Sequence, residues 1–209
     1  MGRVILSLYD NIDSACQAVN TLVAQGFRSS SIGLVAHKAA YQTNWGFGRS
    51  NALALMNQSC PVELPGIGPV LVLGYYLEAL GLLQSGPLPL VRALELDLIP
   101  AAYAHVYTEG VRRRGVLVSV KAEKATSVKA LHILDQCCPV DVDALAQEWR
   151  KTGWTRFDDT ARPVANLGLN WPSSITALPG DIFVNSETHA SWPQNIVPEW
   201  ARQLPQQKN

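Results

Sequence analysis

The four histidines are the first side chains to consider for chemistry. His37, His105, His132 and His189 stand far apart, and none has a partner three or four positions away with which it could share a metal ion. Folding could still bring His37, at the end of one predicted strand, near His105, which precedes another, as a metal-binding or acid-base pair. The favoured interpretation is two hydrogen-bonded or solvent-facing rings, so we expect no metal site.

The carboxylates and the nucleophilic side chains also fail to form a recognisable catalytic or metal site. Asp141 and Asp143 would point to one side of a strand and could bind a cation with Glu148, but a solvated strand face is favoured. The serines and cysteines lack a recognisable nucleophile motif, and the adjacent pair Cys137 and Cys138 has no metal-binding spacing. We therefore expect no catalytic residues, no cofactor and no enzymatic activity.

Two short motifs could bind phosphate or nucleic acid. Gly66 and Gly68 lie in the sequence PGIGPV, but no Lys-Ser or Lys-Thr pair follows and a third glycine is missing, so the phosphate-loop signal is weak. Residues 112–114 are three arginines at a predicted helix end, with Gly115 as the helix stop. The arginines complement the helix dipole on a solvated face, and we expect no nucleic-acid partner.

The composition also limits the number of domains and the kinds of partner that the chain can have. The chain has 209 residues, is 47% hydrophobic, and balances 17 Lys and Arg against 17 Asp and Glu. Such a chain can bury one main domain with an appendage, and zero net charge disfavours bulk capture of nucleic acid or anionic membrane. The first residues lack the pattern of a signal peptide, so a cytoplasmic location is expected.

The predicted elements indicate an α+β fold. Strands are expected at residues 4–9, 31–37, 116–120 and 139–142, and helices at 14–25 and 126–136. The apolar strand at 116–120 is typical of a central strand that is buried on both faces. The order β-α-β, insertion, β-α-β predicts a ferredoxin-like sandwich with a core at residues 1–37 and 111–147, an insertion between strands 2 and 3, and an extended C-terminal arm.

Several motifs resemble those of the bacterial general stress protein 17M-type family, whose members are described as heat-induced or low-temperature-induced stress proteins. They are PGIGPVLVLG at 65–74, LIPAAYAHVY at 98–107, VYTEGVRRRGVLVSV at 106–120, EWRKTGWTRFD at 148–158, and the Gly26-Phe27 helix end. The resemblance covers residues 3–158. It implies a glycine- and alanine-rich helical middle and no catalytic residues. Here Tyr75, Tyr76, Leu90 and Leu94 make that middle bulkier.

The insertion, residues 38–110, is expected to be helical and apolar. Between Leu64 and Val91 the only charge is Glu78, yet prolines and glycines divide this run into pieces too short to span a bilayer. It could pack on the open face of the sheet or inside an oligomer, and the alternatives are peripheral membrane contact or a protein interface.

The arm, residues 148–209, combines six prolines after residue 160 with Trp171, Trp192 and Trp200. Large aromatic side chains are unusual in a disordered tail, whereas tryptophans between proline-restricted segments suit an arm that anchors on a surface. Another subunit or a partner complex is the favoured surface, ahead of the chain's own domain.

The sequence thus favours a non-enzymatic assembly or accessory protein. It would form a homo-oligomer or join a larger protein complex, either away from a membrane or associated with one. The residues expected to make these contacts are Trp171, Trp192, Trp200, Tyr75, Tyr76 and Leu90. The alternative is a regulatory module that binds a small ligand in a pocket between the sheet and the insertion.

Overall fold

The structure is a computed structural model that describes residues 3–41, 60–80, 88–161 and 183–184. Its strands are β1 Arg3–Tyr9, β2 Ile32–His37, β3 Cys60–Leu64, β4 Gly68–Gly74, β5 Val116–Ala122 and β6 Phe183–Val184. Its α-helices are α1 Ile12–Ala24, α2 Lys38–Tyr41, α3 Tyr76–Ala79, α4 Leu90–Leu96, α5 Ala101–Arg112, α6 Ser127–Asp135 and α7 Val142–Lys151. The protein is therefore mixed α and β, as the sequence predicts. None of the helices in these described ranges is both long and apolar enough to cross a bilayer.

All neighbouring strands in the sheet are antiparallel, in the order β3-β4-β2-β5-β1-β6. The expectation of four strands was too few, because β3 and β4 extend the sheet beyond β2. β5 lies between β1 and β2, and Val116, Leu117, Val118 and Val120 are all buried. The prediction of a central strand covered on both faces is confirmed.

The predicted strand at 139–142 is wrong. Asp141 caps α7, since its side chain accepts a hydrogen bond from the Ala144 backbone N–H at 2.8 Å, and the helix begins at Val142. Val140 makes one strand-like contact, in which its N–H donates to the Leu8 carbonyl at 2.7 Å. The capping residue Asp141 and the helical pattern after it thus determine the local structure more than the strand preference of Val140 and Val142 does.

The insertion is not wholly helical, because residues 60–74 form the β3–β4 hairpin. Its turn is PGIGP: the Ile67 N–H donates to the Leu64 carbonyl at 3.2 Å, and Gly66 has a φ of +71°. Proline at the second and glycine at the third turn position are typical of a type II turn. The two glycines therefore serve a hairpin turn, and the phosphate-loop interpretation gains no support.

Two apolar clusters cover the two faces of the sheet. One cluster contains α1 and α6, and the other contains α3, α4, α5 and α7. A Cβ on Gly110 would stand 2.5 Å from Leu8 Cδ2, so the glycine lets α5 lie close to β1. The insertion therefore packs on the open face of the chain's own sheet, one of the arrangements expected from the sequence.

The predicted arm boundary at residue 148 falls inside α7. Trp149 and Phe157 are both buried in the cluster that contains α5. The first part of the region expected to be an arm, residues 148–161, is thus packed on the core. The arm beyond it, residues 162–209, lies outside the described residues except for β6.

Candidate functional site

The predicted interaction residues fall into two groups. Trp171, Trp192 and Trp200 lie outside the described residues. Tyr75, Tyr76 and Leu90 are buried, with exposed fractions of 9%, 0% and 1%. These three were expected to contact a partner, and this expectation needs correction, because in the single chain they are core side chains.

The two tyrosines pack over a glycine of β2. The Tyr75 hydroxyl donates to Ser119 Oγ at 2.8 Å, and a Cβ on Gly33 would stand 2.6 Å from Tyr76 Cδ2. Burial raises the pKa of both phenols well above the usual value, so both stay protonated near neutrality. Among the described residues, these two side chains pack between the insertion and the sheet, the region where the alternative prediction was a ligand pocket.

A small apolar cavity lies on the opposite face, between α1 and strands β2 and β4. Its volume is about 10 Å³, and its walls are Val19, Ile32, Leu34, Leu73 and Gly74. A single water molecule needs about this much space together with polar partners. The cavity is therefore too small for a metabolite.

The arginine triplet is not a solvated face. Arg112 Nε lies 3.0 Å from Glu109 Oε2 and Arg113 Nε lies 2.7 Å from Glu109 Oε1, while the Glu109 side chain is fully buried. The side chains of Arg112 and Arg113 are only 15% and 21% exposed. Two guanidinium groups thus share one buried carboxylate. Burying that carboxylate would be unfavourable without these ion pairs.

The helix end also differs from the prediction. Gly115 was expected to stop α5, but the left-handed residue is Arg114, with a φ of +74°. The N–H groups of Gly115 and Arg114 donate to the Gly110 and Val111 carbonyls, as in a Schellman motif. A position that usually holds glycine therefore holds arginine.

The paired arginines stack on aromatic rings that follow in the chain. Arg113 Cζ lies 4.8 Å from the centroid of the Trp149 ring, and Arg112 Cζ lies 6.0 Å from that of Phe157. The Trp149 and Trp154 rings form an edge-to-face pair with centroids 5.5 Å apart. Cation–π and aromatic contacts thus connect α5 to α7 and to residues 154–157.

The β3–β4 turn contacts the same segment from another side. A Cβ on Gly66 would stand 2.6 Å from the Asp158 carbonyl oxygen and 2.8 Å from Phe157 Cζ. Glycine is therefore required both for the turn and for this close approach. We name the arrangement of Gly66, Glu109, Arg112, Arg113, Trp149 and Phe157 the arm junction, because it holds the chain just before residue 162.

His105 borders the arm junction. Burial, aided by Arg156, lowers the pKa of its ring, whereas Glu95, Asp159 and the Phe157 backbone raise it. His37 has different neighbours: burial and Arg114 lower its pKa, while Glu63 and the Ile67 backbone raise it. The two rings thus do not share a set of charged partners.

The remaining candidates have structural roles or stay untested. Asp141 caps α7, and no group of three His, Cys, Asp or Glu side chains suited to a metal ion occurs among the described residues. Cys16 and Cys137 are buried thiols, and burial raises the pKa of Cys16 to about 11. His189 lies outside the described residues.

The three segments that form the arm junction are visible as separate motifs in the sequence, but their spacing along the chain does not show that they meet. PGIGP supplies the turn, TEGVRRR supplies the ion pairs, and EWRKTGWTRFD supplies the aromatic rings. One signal was available, because Glu109 stands three and four positions before Arg112 and Arg113, a spacing at which helical side chains meet.

Comparison with known protein families, with curated proteins and with solved structures finds no match to the chain.

Proposed function

We propose that the protein is a non-enzymatic assembly or accessory protein whose C-terminal arm binds a second copy of the chain. The observation that carries this proposal is the arm junction, which fixes the start of the arm on the core through a buried ion-pair cluster. A fixed start reduces the conformational entropy that an arm loses when it binds a surface. Docking on a larger complex, cytoplasmic or at a membrane, is the second form of the same proposal.

The arm, more than the described part of the insertion, offers side chains of the type that anchor an interface. Among the described residues, the large hydrophobic side chains that are strongly exposed are Leu96, Leu98 and Val128. Most stable interfaces need aromatic anchors in a desolvated centre. Trp171, Trp192 and Trp200 of the arm are side chains of that type.

We infer further that the core is ferredoxin-like. The strands β6-β1-β5-β2 are adjacent in that order and antiparallel. If β6 is the fourth strand of a β-α-β-β-α-β unit, this is the strand order 4-1-3-2 of a ferredoxin-like sheet, with β3 and β4 added at one edge. In this interpretation the arm supplies the strand that the sequence predicted at 139–142.

The kinship with the general stress protein 17M-type family also remains a proposal. Its support is that motifs chosen for their resemblance meet at one place, the arm junction. If these motifs form the same junction in that family, its members hold the chain after the second core helix in the same way.

The experiment is to replace Trp171, Trp192 and Trp200 by alanine together in the full chain. Sedimentation velocity over a range of concentrations should show an oligomer for the unchanged chain and a smaller species for the variant. Far-UV circular dichroism should be the same for both, because the arm junction remains. Equal sedimentation of the two proteins would contradict self-assembly through the arm, and a variant that unfolds would show that the tryptophans belong to the core.

A further inference from the structure

Two strongly exposed leucines lie at one end of the sheet. Leu96 and Leu98 are 61% and 63% exposed, and they flank Asp97, which follows the last residue of α4. The Asp97 carboxylate oxygen Oδ1 lies 3.1 Å from Lys121 Nζ, and Lys121 stands one residue before β5 ends at Ala122. The leucines therefore lie at the end of the sheet where β5 finishes. We name the surface formed by Leu96 and Leu98 the leucine surface.

Leu98 has a backbone conformation that leucine rarely adopts. Its φ is +63°, and the Leu98 and Ile99 N–H groups donate to the Glu95 and Leu94 carbonyls, which ends α4. Glycine usually holds such a position, because a left-handed conformation is unfavourable for a residue with a Cβ. Since the side chain is also mostly exposed, packing within the single chain does not account for a leucine here. A contact outside the single chain would account for it.

The arm leaves the sheet towards the same end. β6 is antiparallel to β1, with Phe183 paired with Leu6 and Val184 paired with Ile5. The chain therefore runs along β6 towards Arg3, the first residue of β1, and β1 is in turn antiparallel to β5. The start of β1 and the end of β5 are neighbours, so the residues after β6 are joined to the sheet at the end that carries the leucine surface.

The tryptophans that follow β6 can reach this end of a neighbouring copy. Residues 185–209 contain Trp192 and Trp200. The chain between Val184 and Trp192 can extend to roughly 26 Å, whereas adjacent strands are only about 5 Å apart. The first tryptophan can therefore cross the end of its own sheet and reach a second copy that faces this end.

We propose that the leucine surface binds the arm of a second copy, with Trp192 and Trp200 as the anchors, and that two copies exchange arms in a closed dimer. Because the arm starts at the same end of the sheet as the surface that it binds, one two-fold axis at that end satisfies both arms. An arm and a surface at opposite ends would instead continue the exchange from copy to copy and form a filament. The exchange rests on the proposed function, whereas the position of the leucine surface does not.

The test is a disulfide between two differently tagged full chains. Both chains carry Cys60→Ser and Cys138→Ser, which remove the exposed thiols. One chain also carries Arg92→Cys, one helical turn before Leu96, and the other carries Ser191→Cys, beside an anchoring tryptophan. After the two chains are mixed and mildly oxidised, we expect a product that contains both tags.

The matched control replaces Arg92→Cys by Glu148→Cys. The Glu148 side chain is also exposed, but it adjoins Trp149, which stacks on Arg113 near the start of β5, so this chain should give no product with both tags. An oligomer without the expected link would overturn the leucine surface and leave the proposed function standing. A link that forms only within one chain carrying both introduced thiols would show that the arm binds its own domain, and it would overturn both.

A second measurement does not depend on oxidation. Leu98→Gly should raise the dissociation constant of the dimer roughly tenfold in sedimentation velocity, because it removes an apolar side chain from the interface. In the single chain the same substitution relieves the left-handed conformation, so association and the stability of the single chain should change in opposite directions. An unchanged dissociation constant would overturn the proposal, whereas a full chain that is monomeric before any substitution would contradict the proposed function itself.

Discussion

Replacing Glu109 by glutamine should strongly destabilise the fold. The carboxylate is fully buried and accepts three hydrogen bonds, two from Arg112 at 3.0 Å and one from Arg113 at 2.7 Å. Glutamine has nearly the same shape but no charge, so both guanidinium groups would lose their counterion. Because their side chains are only 15% and 21% exposed, water can replace the carboxylate only in part.

The size of the effect follows from the geometry. One ion pair at about 4 Å contributes about 4 kcal/mol at an effective dielectric constant near 20, before desolvation is subtracted. Removing one partner of a buried pair costs about 3 to 5 kcal/mol. Since the arginines can turn partly towards solvent, we expect a loss of about 3 kcal/mol in the free energy of unfolding.

Urea denaturation followed by far-UV circular dichroism measures this loss. The matched control is Glu148→Gln, which removes the carboxylate of an exposed pair with Lys151 at the same helical spacing. Exposed pairs of this kind contribute at most about 1 kcal/mol. If Glu109→Gln costs no more than Glu148→Gln, the buried cluster does not hold the junction together and the reasoning is refuted.

Two further predictions concern backbone conformation, each measured as the free energy of unfolding. Gly74→Ala should cost about 3 kcal/mol or more, because a Cβ would stand 1.8 Å from the Ile32 carbonyl oxygen. The control is Gly153→Ala, also at positive φ but with nothing within 4 Å of the added Cβ, which should cost only about 1 kcal/mol. Equal losses in the two variants would contradict the predicted clash. Leu98→Gly should stabilise the fold by about 0.5 to 1 kcal/mol, because exposed Leu98 holds the left-handed position after α4 with a φ of +63°. Leu96→Gly, inside the helix, should destabilise the fold instead. A loss of stability in both variants would argue against relief of backbone strain at Leu98.

Local patterns predicted the first half of the core well. The Gly26 helix stop is confirmed, because Gly26 has a φ of +92° and the Phe27 N–H donates to the Leu22 carbonyl. α1 and α6 lie together on one face of the sheet, as the predicted order of strands and helices indicates. These features depend on contacts between neighbours in the chain or on one repeating period, which a sequence displays directly.

The features that were missed depend on distant contacts. The acidic residue in TEGVRRR looks solvated in isolation, and its burial follows only when α7 packs against α5. The hairpin at 60–74 was hidden because an apolar run with Pro65 and Gly66 can be read as broken helices. The burial of Tyr75 depends likewise on Gly33, which comes more than forty residues earlier and leaves room for the rings.

The most direct test of the assembly proposal is the molar mass in solution, measured by size-exclusion chromatography with light scattering. The full chain should be compared with a chain that ends at residue 184, which keeps β6 paired with β1 but lacks Trp192 and Trp200. We predict a defined oligomer for the full chain and a monomer for the shorter one. The same mass per chain for both proteins would contradict assembly through the arm.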